Sequence, residues 1–304
     1  MARENLGLTV GPVQFNWPAQ RLADFYARVA DEAPVDCVVI GETVCSKRAP
    51  FYADRLPAII DRLERAGKKV VLTSLIMITL ERERRAAREL CEQAEHEIEI
   101  ADLSMLRHLE AGPAFSVGPT VNVYNEATLA FLARLGARSF CLPPELPFAS
   151  VETLARTRPE RVGIEVWAFG RMPLAISGRC THARIHGLTK DSCQFVCEKD
   201  ADGLAARTLD GADFLAVNGV QTLSHKYANL AADIDRIADA GVTSFRLSPQ
   251  SGNFVAVARA FADAIEKRIF TEEALGKIAQ AAAGAEFTNG FLFGSCGAAP
   301  LVIA

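Results

Sequence analysis

Four cysteines stand in polar, loop-like surroundings: Cys45 in GETVCSKR, Cys180 in SGRC, and Cys193 and Cys197 in DSCQFVC. The last three follow C-x12-C-x3-C, and thiolates at such intervals are soft metal ligands. If Cys193 and Cys197 share a helical turn, their separation of four puts both sulfurs on one face. Cys45 from far upstream completes a set of four, which suits a [4Fe-4S] cluster whose fourth thiolate arrives from a distant strand end. The spacing also fits zinc, which would recruit a nearby histidine into a compact site, and it fits thiols that bind nothing. Spacing alone leaves all three open. Nearby Arg179, His182, Arg184 and His186 could offset the negative charge of a thiolate-bound cluster, although each taken singly reads as a solvated loop residue. Cys37, Cys91 and Cys141 lie instead in apolar-periodic segments and read as buried structural thiols.

Other charged residues fall near expected strand ends. Glu42, Lys47 and Arg48 flank Cys45 and could bind an anionic donor or precursor, although charges after a strand are commonly only solvated. Arg171 and Arg246 take the position from which a barrel reaches a ligand, but surface ion pairs explain them as well. His225 and Lys226 follow a possible strand without a paired acid or nucleophile nearby. The chain holds neither HExxH nor GxSxG, so no familiar hydrolase motif is present.

These residues must be held by a scaffold, and the scaffold is an alternation of β-rich and amphipathic stretches. Nine apolar runs, at 8–15, 36–41, 69–75, 97–103, 115–123, 139–146, 162–169, 213–219 and 244–249, are strand candidates, about the eight that a closed barrel needs. Helical periodicity falls at 22–29, 53–66, 82–95, 127–135, 254–267 and 272–283. The expectation is an α/β fold, a single (β/α)8 TIM-barrel-like domain over 1–270, with an open doubly wound sheet as the competitor. Either fold gathers ligands beyond the carboxyl ends of its strands, where Cys45 and Cys180 both fall. The stretch 171–209 breaks the rhythm and reads as a cysteine-bearing loop insertion. Residues 271–304 read as a helix and an apolar tail packed on the body or a partner.

A net charge of -4 and a pI near 5.8 give no general pull toward nucleic acid or anionic membranes. The start, MARENLGLTV, lacks a secretory pattern, and the run VVLTSLIMITL is too short to span a bilayer, so a cytoplasmic address is expected.

GETVCSKR at 41–48, AISGRCTHAR at 175–184 and DSCQFVCEKDADG at 191–203 resemble the UbiV family of oxygen-independent ubiquinone biosynthesis proteins. That family lies within the collagenase-like peptidases, whose recurring AGV-S-FR segment is similar to IADAGVTSFRLSP at 237–249. The resemblance implies a [4Fe-4S] cluster on Cys45, Cys180, Cys193 and Cys197. It also implies a heterodimer with a UbiU-like protein, help from a UbiT-like lipid-binding protein, and hydroxylation of the ring of a ubiquinone precursor without oxygen. Prephenate is the implied hydroxyl donor. With every iron held by cysteine, the cluster would relay electrons or support structure, and the catalytic pocket would then belong to the partner. Rival readings are a peptidase, a factor that hydroxylates RNA bases, and a metal-stapled scaffold without catalysis. The tail departs from the family pattern: NG is followed by FLFGSCG, and Cys296 there reads as a structural or incidental thiol.

Overall fold

The computed structural model describes residues 6–93, 95–109, 114–282 and 284–303. Seven strands run in sequence: β1 (Gly7–Val10), β2 (Cys37–Ile40), β3 (Lys69–Thr73), β4 (Glu97–Ile100), β5 (Phe115–Val117), β6 (Ala137–Cys141) and β7 (Gly163–Ile176). They are followed by β8 (Leu204–Arg207), β9 (Asp213–Asn218), β10 (Gln221–Asn229), β11 (Ser244–Leu247) and β12 (Phe287–Thr288). Strands β1 to β7 pair successively in parallel, and β11 pairs in parallel with both β1 and β7. This closes an eight-stranded parallel barrel and excludes the open doubly wound sheet.

Helices cover the outside because their apolar residues recur at helical spacing. In Ala19–Glu32, Leu22, Tyr26 and Val29 are buried against the barrel, and in Leu56–Arg65 Ile59 and Leu63 are. Glu81–Gln93 and Phe254–Ile265 agree with the expected helices, although the sequence-expected ends at 95 and 283 run through residues 94 and 283, outside the described residues. The helix Phe148–Thr157, which sequence periodicity did not single out, joins β6 to β7. Between β4 and β5 the described backbone includes a 3-10 turn, Leu103–His108, whose Ser104 amide donates to the Asp102 carboxylate at 2.8 Å.

One expected stave is not a stave. The run 213–219 forms β9, which pairs antiparallel with β8 and β10 rather than entering the barrel. The reason is β7, which continues beyond the barrel wall to Ile176, while β10 returns antiparallel along it. At Gly170 (φ 102°) a Cβ would lie 2.9 Å from the Ser248 carbonyl, so only glycine lets β7 pass there. Insertion and barrel are thus one continuous sheet.

The barrel interior is closed by charge. Arg246 lies between Glu99 and Glu165, all three buried, with Nη1 donating to Glu99 Oε1 at 2.9 Å and Nε to Glu165 Oε1. Arg246 therefore fills the inside of the barrel rather than reaching from a strand end toward a ligand.

The helix Thr271–Ala281 packs on Phe254–Ile265, and β12 pairs with β10. Asn289 then exchanges two hydrogen bonds with the backbone of Val302, at 2.7 and 2.9 Å, folding the tail back on itself. Gly290 allows this: a Cβ there would come within 2.2 Å of the Cys296 carbonyl oxygen. Among the described residues, no helix is long and apolar enough to cross a membrane.

Candidate metal centre

Three cysteines arrive on the insertion that follows β7. Cys180 caps the short helix Thr181–Ile185, its Sγ accepting from the Ala183 amide at 3.4 Å. Cys193 and Cys197 do not share a helical turn as their spacing suggested. Gln194 (φ 47°) and Phe195 (φ 53°) are consecutive left-handed residues, and a 3-10 turn, Val196–Lys199, starts only after them. Two such residues without glycine are costly and persist where the surroundings fix them. Cys45 comes from the turn after β2, where the Glu42 carboxylate accepts the amides of Val44 and Cys45 at 2.8 and 2.9 Å and the Tyr52 hydroxyl at 3.1 Å.

All four cysteines line one small pocket, with Arg48, His182, Lys190 and Phe195. Among the described residues, the group whose ligand atoms approach within 4.8 Å of one another is His182, His186 and Asp200. None of the four cysteine sulfurs belongs to that group. His182 is a bracket for the pocket. Its Nδ1 meets the Val217 carbonyl at 3.2 Å and its Nε2 the Asp200 carboxylate at 3.0 Å, tying the Cys180 helix to β9 and to the chain beyond Cys197. Burial lowers its pKa against the pull of Asp200.

Cations stand beside the sulfurs. Lys47 Nζ donates to the carbonyls of Lys190 (2.8 Å) and Asp191 (3.2 Å) and lies 3.6 Å from Cys193 Sγ, above the Phe195 ring. The Phe195 ring meets Phe51 edge-on at 4.6 Å. Arg48, 1% exposed, donates Nη1 to the Gln14 carbonyl (2.9 Å) and Nη2 to Asn218 Oδ1 (3.0 Å), while its Nε finds no partner among the described residues. Burial opposes the Arg48 charge, but Glu42, Cys197 and Cys45 outweigh it and hold its pKa above the usual value. Burial pushes the Cys45 thiol up. Four thiols, an amide and an ammonium aimed at two of the sulfurs, and a buried guanidinium beside the others form a donor set that fits an anionic thiolate-bound cluster.

The remaining sequence candidates lie elsewhere. Arg171 donates to the carbonyls of Ser224 and His225 and packs over Tyr227, fastening β7 to β10. His225 and Lys226 face Glu286 at 3.4 and 3.2 Å. Sequence reasoning missed the polar bracket of Gln14, Asn218 and Gln221, in which Asn218 Nδ2 donates to the Gln14 carbonyl (2.8 Å) and Gln221 Oε1 (3.0 Å). Its one legible signal was the Asn218–Gly219 dipeptide, a hairpin turn between two apolar runs.

The model of peptidase family U32 matches residues 21–299. A protein of Porphyromonas gingivalis named collagenase is 25% identical over 192 residues, 57% of this chain and 45% of that protein. The matched stretch thus spans less than half the length of that curated relative. Among solved structures, a U32 peptidase is similar with a TM-score of 0.46 at 13% identity, over 81% of this chain and 94% of that one. A class V chitinase from Nicotiana tobaccum gives a TM-score of 0.38 at 9% identity, over 80% of this chain and 93% of that one.

Proposed function

This chain belongs to peptidase family U32, and from that premise we propose that it carries a [4Fe-4S] cluster on Cys45, Cys180, Cys193 and Cys197. In this reading it is the iron-sulfur subunit of a cytoplasmic complex with a UbiU-like protein, assisted by a UbiT-like lipid-binding protein. The complex hydroxylates the ring of a ubiquinone precursor without oxygen and takes the hydroxyl group from prephenate. The observation that carries the reading is the convergence of the four cysteines on one pocket with Lys47 and Arg48 against it.

A bound cluster supplies the one-electron chemistry that side chains lack. The chain's own residues do the positioning. Glu42 shapes the Cys45 turn, Lys47 and the Ala183 amide donate toward sulfur, and His182 fixes the two insertion segments to each other. Because the polar atoms of Glu42, Lys47 and Arg48 are largely engaged by the protein, any part they take in binding an anionic substrate is secondary to holding the pocket.

Anaerobic purification with iron and sulfide analysis tests this. Single Cys→Ala changes at 45, 180, 193 and 197 should each abolish the brown chromophore, and changes at 37, 91, 141 and 296 should keep it. Retention in any of the first four breaks the ligand set. The name of the Porphyromonas gingivalis relative favours a second reading, proteolysis. Cleavage of unfolded or collagen-like substrates by iron-free protein, lost on Cys180→Ala, would put that reading first.

A further inference from the structure

The turn that carries Cys45 has two faces. Cys45 and Arg48 line the cysteine pocket, whereas Glu42, Ser46 and Ala49 line a separate cavity of about 320 Å³. This second cavity lies between the ends of β2 and β3 and the helices Leu56–Arg65 and Glu81–Gln93, with walls that include Ile40, Leu56, Ile60, Leu72, Ile78 and Leu90. Its size is within the range of small-molecule sites and its walls are mostly apolar, as such sites are.

The polar groups on its floor are already engaged. The Ser46 hydroxyl donates to Glu83 Oε1 at 2.7 Å, and Glu83 Oε2 accepts the amides of Thr79 and Leu80 at 2.9 and 3.0 Å. Glu42 is taken up by Val44, Cys45 and Tyr52, and Ser74 Oγ accepts the Ala101 amide at 2.9 Å. No lysine or arginine is among the lining residues, and two carboxylates are. An anion would meet repulsion without a counter-charge, and a polar ligand would find few free partners.

We infer that this cavity binds the neutral, apolar chain of a lipophilic small molecule and presents it at the Cys45 turn. The inference deepens the proposed reading by naming the class of molecule and where its chain lies, and it stands on observations that do not involve the cluster.

Titration calorimetry on the full chain, purified anaerobically, tests it with farnesol as the neutral chain and 4-hydroxybenzoate as an anionic ring. Farnesol should bind saturably, and 4-hydroxybenzoate at least a hundredfold more weakly. Ala86→Trp, at an exposed position on the cavity rim, should weaken farnesol at least tenfold while iron content and melting temperature stay at native values. Ile60→Trp, on the other helix, takes its place should that variant fail to fold. Absence of saturable farnesol binding, or native affinity in the folded tryptophan variant, overturns the inference. Protein without iron that still binds farnesol sinks the cluster and keeps the cavity. Protein with iron that ignores farnesol does the reverse.

Discussion

In the barrel interior Arg246 lies between two carboxylates, whereas at the rim Lys47 and Arg48 direct their hydrogen bonds to carbonyl and amide oxygens. Both regions also hold cysteines. Beside Arg246, burial pushes the Cys37 thiol up to about 12 and the Cys141 thiol well above its usual value, so both stay protonated and inert. At the rim no carboxylate is hydrogen-bonded to Lys47 or Arg48, although Glu42 acts on Arg48 through its charge, and four sulfurs share the same small pocket. A cation neutralised by its own acids is a strut. A cation bonded to neutral oxygens keeps more of its field for something else, and beside Lys47 the sulfur of Cys193 stands at 3.6 Å.

The comparison can be broken first at the strut. Arg246→Leu leaves Glu99 and Glu165 buried without a counter-charge, a change that costs on the order of 3–5 kcal/mol. Urea denaturation should show that loss, and a value below about 1 kcal/mol would remove the distinction between the two regions. The cysteines sharpen it next. Cys141→Ala empties a buried position and should cost about 1–2 kcal/mol while iron content holds at the native level. Cys180→Ala, at a half-exposed position, should empty the protein of iron and lower the denaturation midpoint with it, because a group bound only by the folded chain stabilises that chain. Equal iron loss in both variants would mean that the interior thiol takes part in the site.

The sequence made one of these regions legible and hid the other. The cysteines announced themselves by residue type and polar setting, and the staves by apolar runs, because each of those signals is local. The run at 213–219 misled because an apolar segment buried on one face looks alike whether its neighbours are parallel or antiparallel. Arg246 could not be read as a strut, since its partners lie 147 and 81 residues away along the chain. His182 looked like one loop residue among several; its burial comes from Val217 and Asp200, which only the folding of the insertion brings to it. The turn at Gln194 and Phe195 was hidden as well, because neither residue type announces a left-handed backbone.

The finest test is made at Lys47. Its ammonium is 3.6 Å from Cys193 Sγ and half-buried, so solvent screens part of its charge, and its effect on the sulfur is on the order of 1 kcal/mol. For a one-electron couple that corresponds to about 40 mV. Reduction adds negative charge to a thiolate-bound cluster, so removing the cation should make reduction harder. Lys47→Met is therefore expected to lower the midpoint potential of the anaerobically purified protein by tens of millivolts. Lys47→Arg keeps the charge but alters the fit to the Lys190 and Asp191 carbonyls, which separates electrostatics from anchoring. A potential that drops in both variants points to a loosened Cys193 turn, and one that drops in the methionine variant alone points to the field of the cation. If neither moves, the uncancelled charge at the rim does not reach the sulfurs, and the contrast with the barrel interior is one of packing only.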